Sequence, residues 1–173
     1  VSTAAQAANI VAESRFPPRG RRGFGSPFTN GIWGISATEY LQGANDAVLV
    51  IVQIETREAV QNLEAIASVD GVDVLFIGPY DLSISLGYEP PSPDPHADVE
   101  KVIQRIREVA HKAGKKVAIY CTSGAQSAKR AQEGFDMINV IADSGALSAA
   151  LASELATAAG RENDSTKKGM NYA

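Results

Sequence analysis

Cysteine and histidine are scarce in this chain of 173 residues, which contains one cysteine and two histidines. A single cysteine, Cys121, excludes an intramolecular disulfide framework and is typical of a protein from a reducing compartment. His96 lies in a proline-rich stretch, and His111 lies on the polar side of a predicted helix. We therefore expect both histidines to be ordinary solvated residues, and Cys121 to be a small buried hydrophobic residue.

Long apolar runs and a strong charge imbalance are also missing. No segment approaches the ~18 consecutive apolar residues of a membrane-spanning helix, and no secretory signal pattern opens the chain. The formal net charge of −4 gives no reason to expect nucleic acid as a partner. These absences predict a soluble, cytoplasmic protein with neither a membrane nor a nucleic-acid partner.

The sequence does contain four short apolar runs that alternate with amphipathic segments. Such runs are typical of parallel strands buried on both faces, and the amphipathic segments between them predict helices. The predicted strands are residues 48–52, 72–77, 116–121 and 136–142. The predicted helices are residues 2–14, 36–44, 59–67, 97–113, 124–133 and 144–159, with a helical turn at 81–86 and a loop over 15–35.

Four consecutive β/α units indicate an α/β fold, either a barrel or a doubly wound sheet with helices on both faces. A complete barrel of eight such units typically needs ~250 residues, so this chain is expected to contain about half of one. It begins at a predicted helix cap, Ser2 or Thr3, with no strand ahead of it. We therefore expect a chain cut at a strand–helix junction, with a self-sufficient doubly wound domain as the alternative.

Two acidic residues follow the first two predicted strands. Glu55 comes after the first run, and Asp81 follows the second by way of Gly78-Pro79-Tyr80. Neighbouring parallel strands end at the same edge of a sheet, where α/β folds place their chemistry. Two carboxylates there, with the amide of Gln53 on the same strand face as Glu55, are suitable ligands for a hard divalent cation. From spacing alone, helix capping by both carboxylates is an equal alternative.

The residues around these two carboxylates resemble those of the class II pyruvate aldolases of the HpcH/HpaI family. The similar segments are Gln53-Ile54-Glu55-Thr56-Arg57-Glu58-Ala59, Phe76-Ile77-Gly78-Pro79-Tyr80-Asp81-Leu82-Ser83, Arg15-Phe16-Pro17-Pro18, Arg22-Gly23-Phe24-Gly25-Ser26, Tyr40-Leu41-Gln42 and Ala44-Asn45-Asp46. The 26-residue step from Glu55 to Asp81 matches the spacing of the family's two metal ligands. By this resemblance, residues 1–160 are the carboxyl-terminal part of an aldolase barrel, and residues 161–173 are expected to be a disordered tail.

The resemblance implies a partial (β/α)₈ TIM barrel of the phosphoenolpyruvate/pyruvate type, with this chain supplying strands five to eight. It also implies a divalent cation, Mg²⁺, Mn²⁺ or Co²⁺, that is held by Glu55 and Asp81 and chelated by pyruvate. Members of the family usually assemble as hexamers. We therefore expect either a homo-oligomer or a complex with a complementing amino-terminal half.

The resemblance assigns five further residues to the substrate site. They are Gln53, Ser26, Gly78, Pro79 and Tyr80. Backbone amides at Tyr80 and Asp81 are expected to hold the pyruvate carboxylate, and Gly78-Pro79 fits a tight turn that lets a substrate approach the backbone. The family often has alanine at the position of Tyr80, so a narrower pocket or a different acceptor is expected here.

The resemblance also implies what this chain does not carry. The family's acid–base histidine and enolate-stabilising arginine lie on segments absent here, and neither His96 nor His111 matches that histidine. The implied function is a metal-dependent carbon–carbon lyase that cleaves 4-hydroxy-2-oxo acids to pyruvate and an aldehyde, with weak metal binding and poor turnover by this chain alone. The alternative is a catalytically inactive truncated homologue that acts as an assembly or interaction subunit.

Overall fold

The structure, a computed structural model, describes residues 1–25 and 28–161. Its strands are β1 (Ile51–Ile54), β2 (Val74–Ile77), β3 (Lys116–Tyr120) and β4 (Met137–Asn139). Its helices are α1 (Ala4–Ser14), α2 (Thr29–Ile32), α3 (Ala37–Ala47), α4 (Arg57–Gln61), α5 (Leu63–Ala67), α6 (Pro79–Leu86), α7 (Ala97–Lys112), α8 (Gly124–Gln132) and α9 (Asp143–Ala158). Ser26 and the predicted tail beyond Arg161 lie outside the described residues. Within the described part of the chain, no helix is long and apolar enough to cross a membrane.

The four strands form one parallel sheet in the order β1-β2-β3-β4, so the predicted α/β fold is confirmed. Each strand pairs with the next strand along the chain, and helical segments make the return connections. The register aligns Ile54, Ile77, Ile119 and Ile138 across the sheet. Because side chains alternate between the two faces of a strand, this row of isoleucines fixes which residues share each face.

One face of the sheet carries the hydrophobic core. The isoleucine row lies on this face, together with Val52, Leu75 and Val117. The helix residues that pack against it include Ala7, Ala59, Leu63, Ile66, Leu82, Ile103 and Ile106, all of which are fully buried. Burying one aliphatic side chain contributes about 1.5–3 kcal/mol, so we infer that this covered face supplies most of the stabilisation of the fold.

The opposite face of the sheet, called the uncovered face below, lies outside the main core cluster and is open at β1 and β4, although Val74 and Ala118 are buried on it. On β1, Ile51 is 44% exposed whereas Val52 is 1% exposed, and Gln53 is exposed whereas Ile54 is buried. The prediction of strands buried on both faces is therefore wrong for β1, because only every second side chain packs against helices. A doubly wound sheet requires helices on both faces, so the described residues do not support that alternative.

Three helical segments differ from the sequence prediction. The helix between β1 and β2 is interrupted at Asn62, which separates α4 from α5. Helix α6 begins at Pro79 rather than at residue 81, because proline has a backbone suited to the first helical position and lacks an N–H that would be unpaired there. Helix α2 forms within the segment that was predicted as a loop.

A buried ion-pair cluster joins α7 to α8 on the covered side. Arg130 is 5% exposed and donates to both carboxylate oxygens of Glu100 and to one of Glu133. Burial alone would lower the pKa of Arg130, but the two carboxylates raise it above its usual range. The guanidinium therefore remains charged and holds the two helices together.

The histidines and the cysteine all have structural surroundings. His96 caps the start of α7 and stacks on Tyr88, with ring centroids 4.4 Å apart. His111 Nε2 lies 2.9 Å from Asp136 Oδ2. Both histidines are exposed, as expected, and each also contacts another side chain. Cys121 is 3% exposed, as expected for a small hydrophobic residue, and burial raises the pKa of its thiol.

Candidate functional site

Gln53 and Glu55 lie together at the carboxyl end of β1. Gln53 is within the strand and Glu55 follows it, so both side chains leave the uncovered face of the sheet. The Gln53 Nε2 atom donates a hydrogen bond to Glu55 Oε2. The amide therefore orients the carboxylate of Glu55 at the open edge of the sheet.

Gly78 follows β2, and the register continues to place it beside Glu55. A Cβ atom added at Gly78 would lie 2.8 Å from Gln53 Nε2 and 3.0 Å from Glu55 Oε2. The backbone of Gly78, with φ −98° and ψ 91°, needs no left-handed conformation. The missing side chain of Gly78 lets the two β1 side chains reach over the neighbouring strand, and a Cβ atom there would displace their ends.

Asp81 lies in the first turn of α6, which starts directly after Gly78. Proline at the first helical position has no N–H, and Leu82 N donates to Gly78 O at 3.0 Å. The N–H groups of Tyr80 and Asp81 precede that bond and have no intrahelical partner. Tyr80 is 43% exposed, and Asp81 is exposed as well. The start of α6 therefore presents two backbone donors and a carboxylate immediately after Gly78.

Neither carboxylate caps a helix. Thr56 caps α4 by accepting from Ala59 N at 3.0 Å, and α6 has no side-chain cap. Among the described residues, Asp81 has no hydrogen-bond or ion-pair partner, and Glu55 has only the Gln53 amide. The capping alternative is therefore wrong, and both carboxylates lack a cationic partner in this part of the chain.

The chemistry of these donors fits a hard divalent cation. Carboxylate oxygens are the ligands that such cations prefer, and the space left by Gly78 lies directly beside Glu55. Within residues 1–25 and 28–161, no group of three or more His, Cys, Asp or Glu side chains comes together. A cation held by Glu55 and Asp81 would thus complete its shell with oxygens from water or substrate.

Two residues outside the predicted site share a row with Glu55 on the uncovered face. The register pairs Tyr120 with Asn139, and its continuation by one residue past Ile54 and Ile77 extends this row to Glu55 and Gly78. The Asn139 Nδ2 atom is buried and has no hydrogen-bond partner. The sequence contains one signal for Asn139, a polar residue inside an apolar run, but its alignment with Glu55 follows only from the strand register.

The comparison with known protein families identifies the group to which this chain belongs. The HpcH/HpaI aldolase/citrate lyase family matches residues 1–150. This chain belongs to that family. The resemblance inferred from the motifs around Glu55 and Asp81 is thereby confirmed.

Individual relatives carry aldolase names. A hydroxypyruvate/pyruvate aldolase of Rhizorhabdus wittichii is 40% identical over 158 residues, which cover 91% of this chain and 62% of the relative. A 4-hydroxy-2-oxo-heptane-1,7-dioate aldolase of Salmonella typhimurium is 46% identical over 116 residues, which cover 66% of this chain and 44% of the relative. Both of these relatives are thus named as aldolases, one of them for a 4-hydroxy-2-oxo acid.

A solved structure of the family has the same fold as this chain. The crystal structure of an HpcH/HpaI aldolase/citrate lyase family protein from Burkholderia cenocepacia J2315 superposes with a TM-score of 0.80 at 35% identity. The match covers 92% of this chain and 62% of that protein. The chain thus spans about three fifths of the relatives that it matches over nearly all of its own length.

Proposed function

We propose that this chain is the carboxyl-terminal half of a metal-dependent aldolase that cleaves 4-hydroxy-2-oxo acids to pyruvate and an aldehyde. The observation that carries the proposal is the arrangement of Gln53, Glu55 and Gly78, in which a glycine makes room for an oriented carboxylate that has no cationic partner among the described residues. Membership of an aldolase family and the names of the relatives support the reaction class.

In this proposal the chain supplies strands five to eight of a (β/α)₈ TIM barrel. A sheet whose strands follow the chain order, with the core on one face, is the arrangement of a barrel wall. The uncovered face would then be the barrel interior, and its exposed Ile51 and Met137 would be covered by the other half. This chain spans 62% of the length of two relatives, which agrees with a partial barrel.

Glu55 and Asp81 are the proposed ligands of a divalent cation, Mg²⁺, Mn²⁺ or Co²⁺. When bound and chelated by a 2-oxo acid, such a cation polarises the ketone and so favours breaking of the neighbouring carbon–carbon bond. The Gln53 amide holds Glu55 in position and can also donate to the keto acid. Two protein carboxylates leave room in the coordination shell for both keto-acid oxygens.

The start of α6 is the proposed site for the carboxylate of pyruvate. The free N–H groups of Tyr80 and Asp81 lie at the positive end of the helix, where anions are stabilised. Pro79 fixes the start of the helix, and Gly78 leaves the backbone accessible. The side chain of Tyr80 would narrow the pocket, and Ser26, outside the described residues, stays a predicted contact.

Proton transfer is the part of the reaction for which the described residues offer no evident group. His96 caps α7 and His111 pairs with Asp136, so neither is available at the start of α6. We therefore expect poor turnover from the chain alone, and strong pyruvate release from 4-hydroxy-2-oxo acids with Mn²⁺ would contradict this. A cytoplasmic location and the absence of nucleic-acid and membrane partners also stay predictions.

A second candidate function is that of an assembly subunit. The apolar residues Leu147, Leu151 and Leu155 of α9 are 62%, 55% and 70% exposed, and the strand face with Ile51 is open. Large exposed apolar surfaces are typical of interaction sites. The expected partner is a second copy of this chain or a complementing amino-terminal half. Light scattering after size-exclusion chromatography would detect the first, and a well-behaved monomer would count against self-assembly.

The test of the proposed function is metal-dependent pyruvate binding, measured by isothermal titration calorimetry with and without Mn²⁺. Pyruvate should bind only when Mn²⁺ is present. Glu55→Gln should weaken that binding by at least about tenfold, because an anionic ligand of the cation is lost. The matched control is Glu58→Gln, an exposed carboxylate in the first turn of α4, which should change the affinity less than about twofold.

Two results would contradict the proposal. The first is pyruvate binding that does not depend on Mn²⁺. The second is an equal loss of binding in Glu55→Gln and Glu58→Gln, since a general change in charge would then explain the effect.

A further inference from the structure

The two proposed cation ligands lie on different elements, and the pairing of the strands fixes the place of only one of them. Glu55 follows β1 directly, and the continued register sets it beside Gly78. Asp81 lies in the first turn of α6, so its place depends on the direction that the helix takes after Gly78. Contacts at the far end of α6 therefore affect how the two carboxylates are placed relative to each other.

Arg57 reaches from the start of α4 to the last turn of α6. Its backbone N–H donates to Ser85 Oγ at 2.9 Å, and its guanidinium Nη2 donates to Leu86 O at 2.6 Å. Helices α4 and α6 are also in contact with each other. Arg57 thus ties the segment that carries Glu55 to the end of the helix that carries Asp81.

The way in which α6 ends leaves Leu86 O free for this contact. Gly87 adopts a φ of 90° and closes the helix. The N–H groups of Gly87 and Tyr88 donate to Ile84 O and Ser83 O, each at 2.9 Å. These two bonds do not include Leu86 O, which is one of the carbonyls without an intrahelical partner. Because the end of a helix favours a positive charge, a guanidinium suits this position.

The guanidinium of Arg57 is not used in an ion pair within the described part of the chain. Arg105 provides a contrast, because its Nη2 atom donates to both carboxylate oxygens of Glu64, at 2.9 Å and 3.1 Å, and so joins α7 to α5. The guanidinium of Arg57 instead binds the backbone of α6. Its contacts therefore hold a helix that carries a proposed ligand, rather than an acidic side chain.

A small movement of α6 is enough to disturb a cation site. Asp81 is three residues after Gly78, about 4.5 Å along the helix axis, so a tilt of about 15° about Gly78 would move it by about 1 Å. Distances from a cation to its ligands are held within about 0.2 Å. Leu82 is buried in the core and holds the middle of α6, whereas Arg57 holds its end. The direction of the helix thus depends on both residues.

We propose that Arg57 is a positioning residue, which holds α6 so that Glu55 and Asp81 reach one cation together. The role rests on the proposed function, which assigns both carboxylates to the cation, and Arg57 itself contacts neither the cation nor the keto acid. Loss of Arg57 has an effect whose sign separates positioning from charge. Removal of a nearby positive charge strengthens cation binding by electrostatics alone, whereas loss of the positioning contact weakens it.

The experiment measures the affinity of the full chain for Mn²⁺ alone, from the electron paramagnetic resonance signal of the free ion, well below the thermal midpoint. Arg57→Gln removes the guanidinium that binds Leu86 O. Arg105→Gln is the matched control, because it removes the same charge and a contact that does not involve α6. Ser85→Ala removes the acceptor of Arg57 N without a change in charge, and it decides the comparison if Arg57→Gln does not fold.

Arg57→Gln should weaken Mn²⁺ binding by about five- to tenfold, which is at or below the smallest usual effect of residues that contact a metal ligand directly. Ser85→Ala should weaken it by about two- to threefold, since one of the two contacts remains. Arg105→Gln should stay within about twofold of the wild type. The metal-free thermal midpoints of Arg57→Gln and Arg105→Gln should fall by similar small amounts, because both side chains are at the surface.

The outcomes separate the positioning role from the proposed function. If the wild type binds Mn²⁺ and Arg57→Gln binds it equally or more tightly, the role is wrong while the function stands. Equal weakening in Arg57→Gln and Arg105→Gln would assign the loss to a general effect and would also overturn the role. If the wild type binds no Mn²⁺, the proposed function fails and the positioning role fails with it.

Discussion

The acidic side chains at one edge of the sheet have basic partners, whereas those at the other edge do not have one among the described residues. At the amino edge, Asp73 and Asp136 precede β2 and β4, and each forms an ion pair with a basic side chain, at 3.1 Å and 2.8 Å. At the carboxyl edge, Glu55 and Asp81 follow β1 and β2, and neither has a cationic partner among the described residues. The acidic residues of the first edge stabilise the fold, whereas those of the second are available to a ligand.

The acidic residues that stabilise the fold and those that are available to a ligand thus lie at opposite edges of one small sheet. Carboxylates without a cationic partner add little to folding, and these two lie at the edge where α/β folds bind ligands. The same separation applies to the two faces, since the covered face contains the core and the uncovered face contains the polar row. Matched substitutions at the two edges therefore provide the sharpest tests of this difference.

The largest expected effect is on stability at the amino edge. Asp73→Ala should lower the free energy of unfolding by about 3 kcal/mol, because buried Arg15 loses its carboxylate partner. This is the lower end of the usual range, since the Asp73 side chain is 34% exposed. Asp81→Ala, the same substitution at the carboxyl edge, should change the free energy by less than about 0.5 kcal/mol. Urea unfolding gives the free energy of unfolding of both variants. Equal decreases in the two variants would contradict the difference between the edges.

The next effect is on binding at the carboxyl edge. Gly78→Ala should weaken Mn²⁺-dependent pyruvate binding by about tenfold, because the new Cβ would lie within 3.0 Å of the Gln53 amide and the Glu55 carboxylate and displace them. The thermal midpoint should change little, since both side-chain ends can move away. Gly124→Ala is the control, because a Cβ there meets no atom within 4 Å. Unchanged pyruvate affinity in Gly78→Ala would show that the displaced side chains do not bind the ligand.

The smallest effect concerns acid stability. Burial alone would raise the pKa of Asp136, but hydrogen bonds from Lys116 Nζ, Val117 N and His111 lower it to about 2. Because this folded-state pKa lies below the ordinary 3.8, the unfolded chain takes up the proton first. The stabilisation is therefore present above about pH 4 and is lost as the pH falls toward 2. Asp136→Asn should show a shallower loss of stability over this range in urea titrations, whereas an unchanged slope would contradict the paired role of Asp136.

Local pattern was enough to predict much of this fold. The strands contain apolar runs, and Gly114 and Gly134 end α7 and α8 close to the predicted positions because both adopt positive φ values. The motifs around Glu55 and Asp81 predicted which residues the structure brings to the carboxyl edge. The interruption of the helix at Asn62 was missed, because nothing in the periodicity of its apolar residues breaks there.

What the sequence did not predict depends on contacts between distant segments. The row that joins Glu55 to Tyr120 and Asn139 follows from the pairing register of four strands, and no single segment contains that information. The exposure of Ile51 was also missed, because a β-branched run looks the same whether one face or both faces are covered. The sequence did not indicate that Gly78 makes room for the Gln53 side chain, because that contact is known only from the structure.

The most direct test of the unpaired carboxylates is the thermal midpoint of the chain as a function of Mn²⁺ concentration. A cation that binds only the folded state raises the midpoint once its concentration exceeds the dissociation constant, and the midpoint continues to rise with the logarithm of that concentration. We predict that the midpoint of the wild type rises through the millimolar range, and that the double variant Glu55→Gln/Asp81→Asn shows no rise while keeping its metal-free midpoint. An equal rise in both proteins would contradict a cation site at the carboxyl edge.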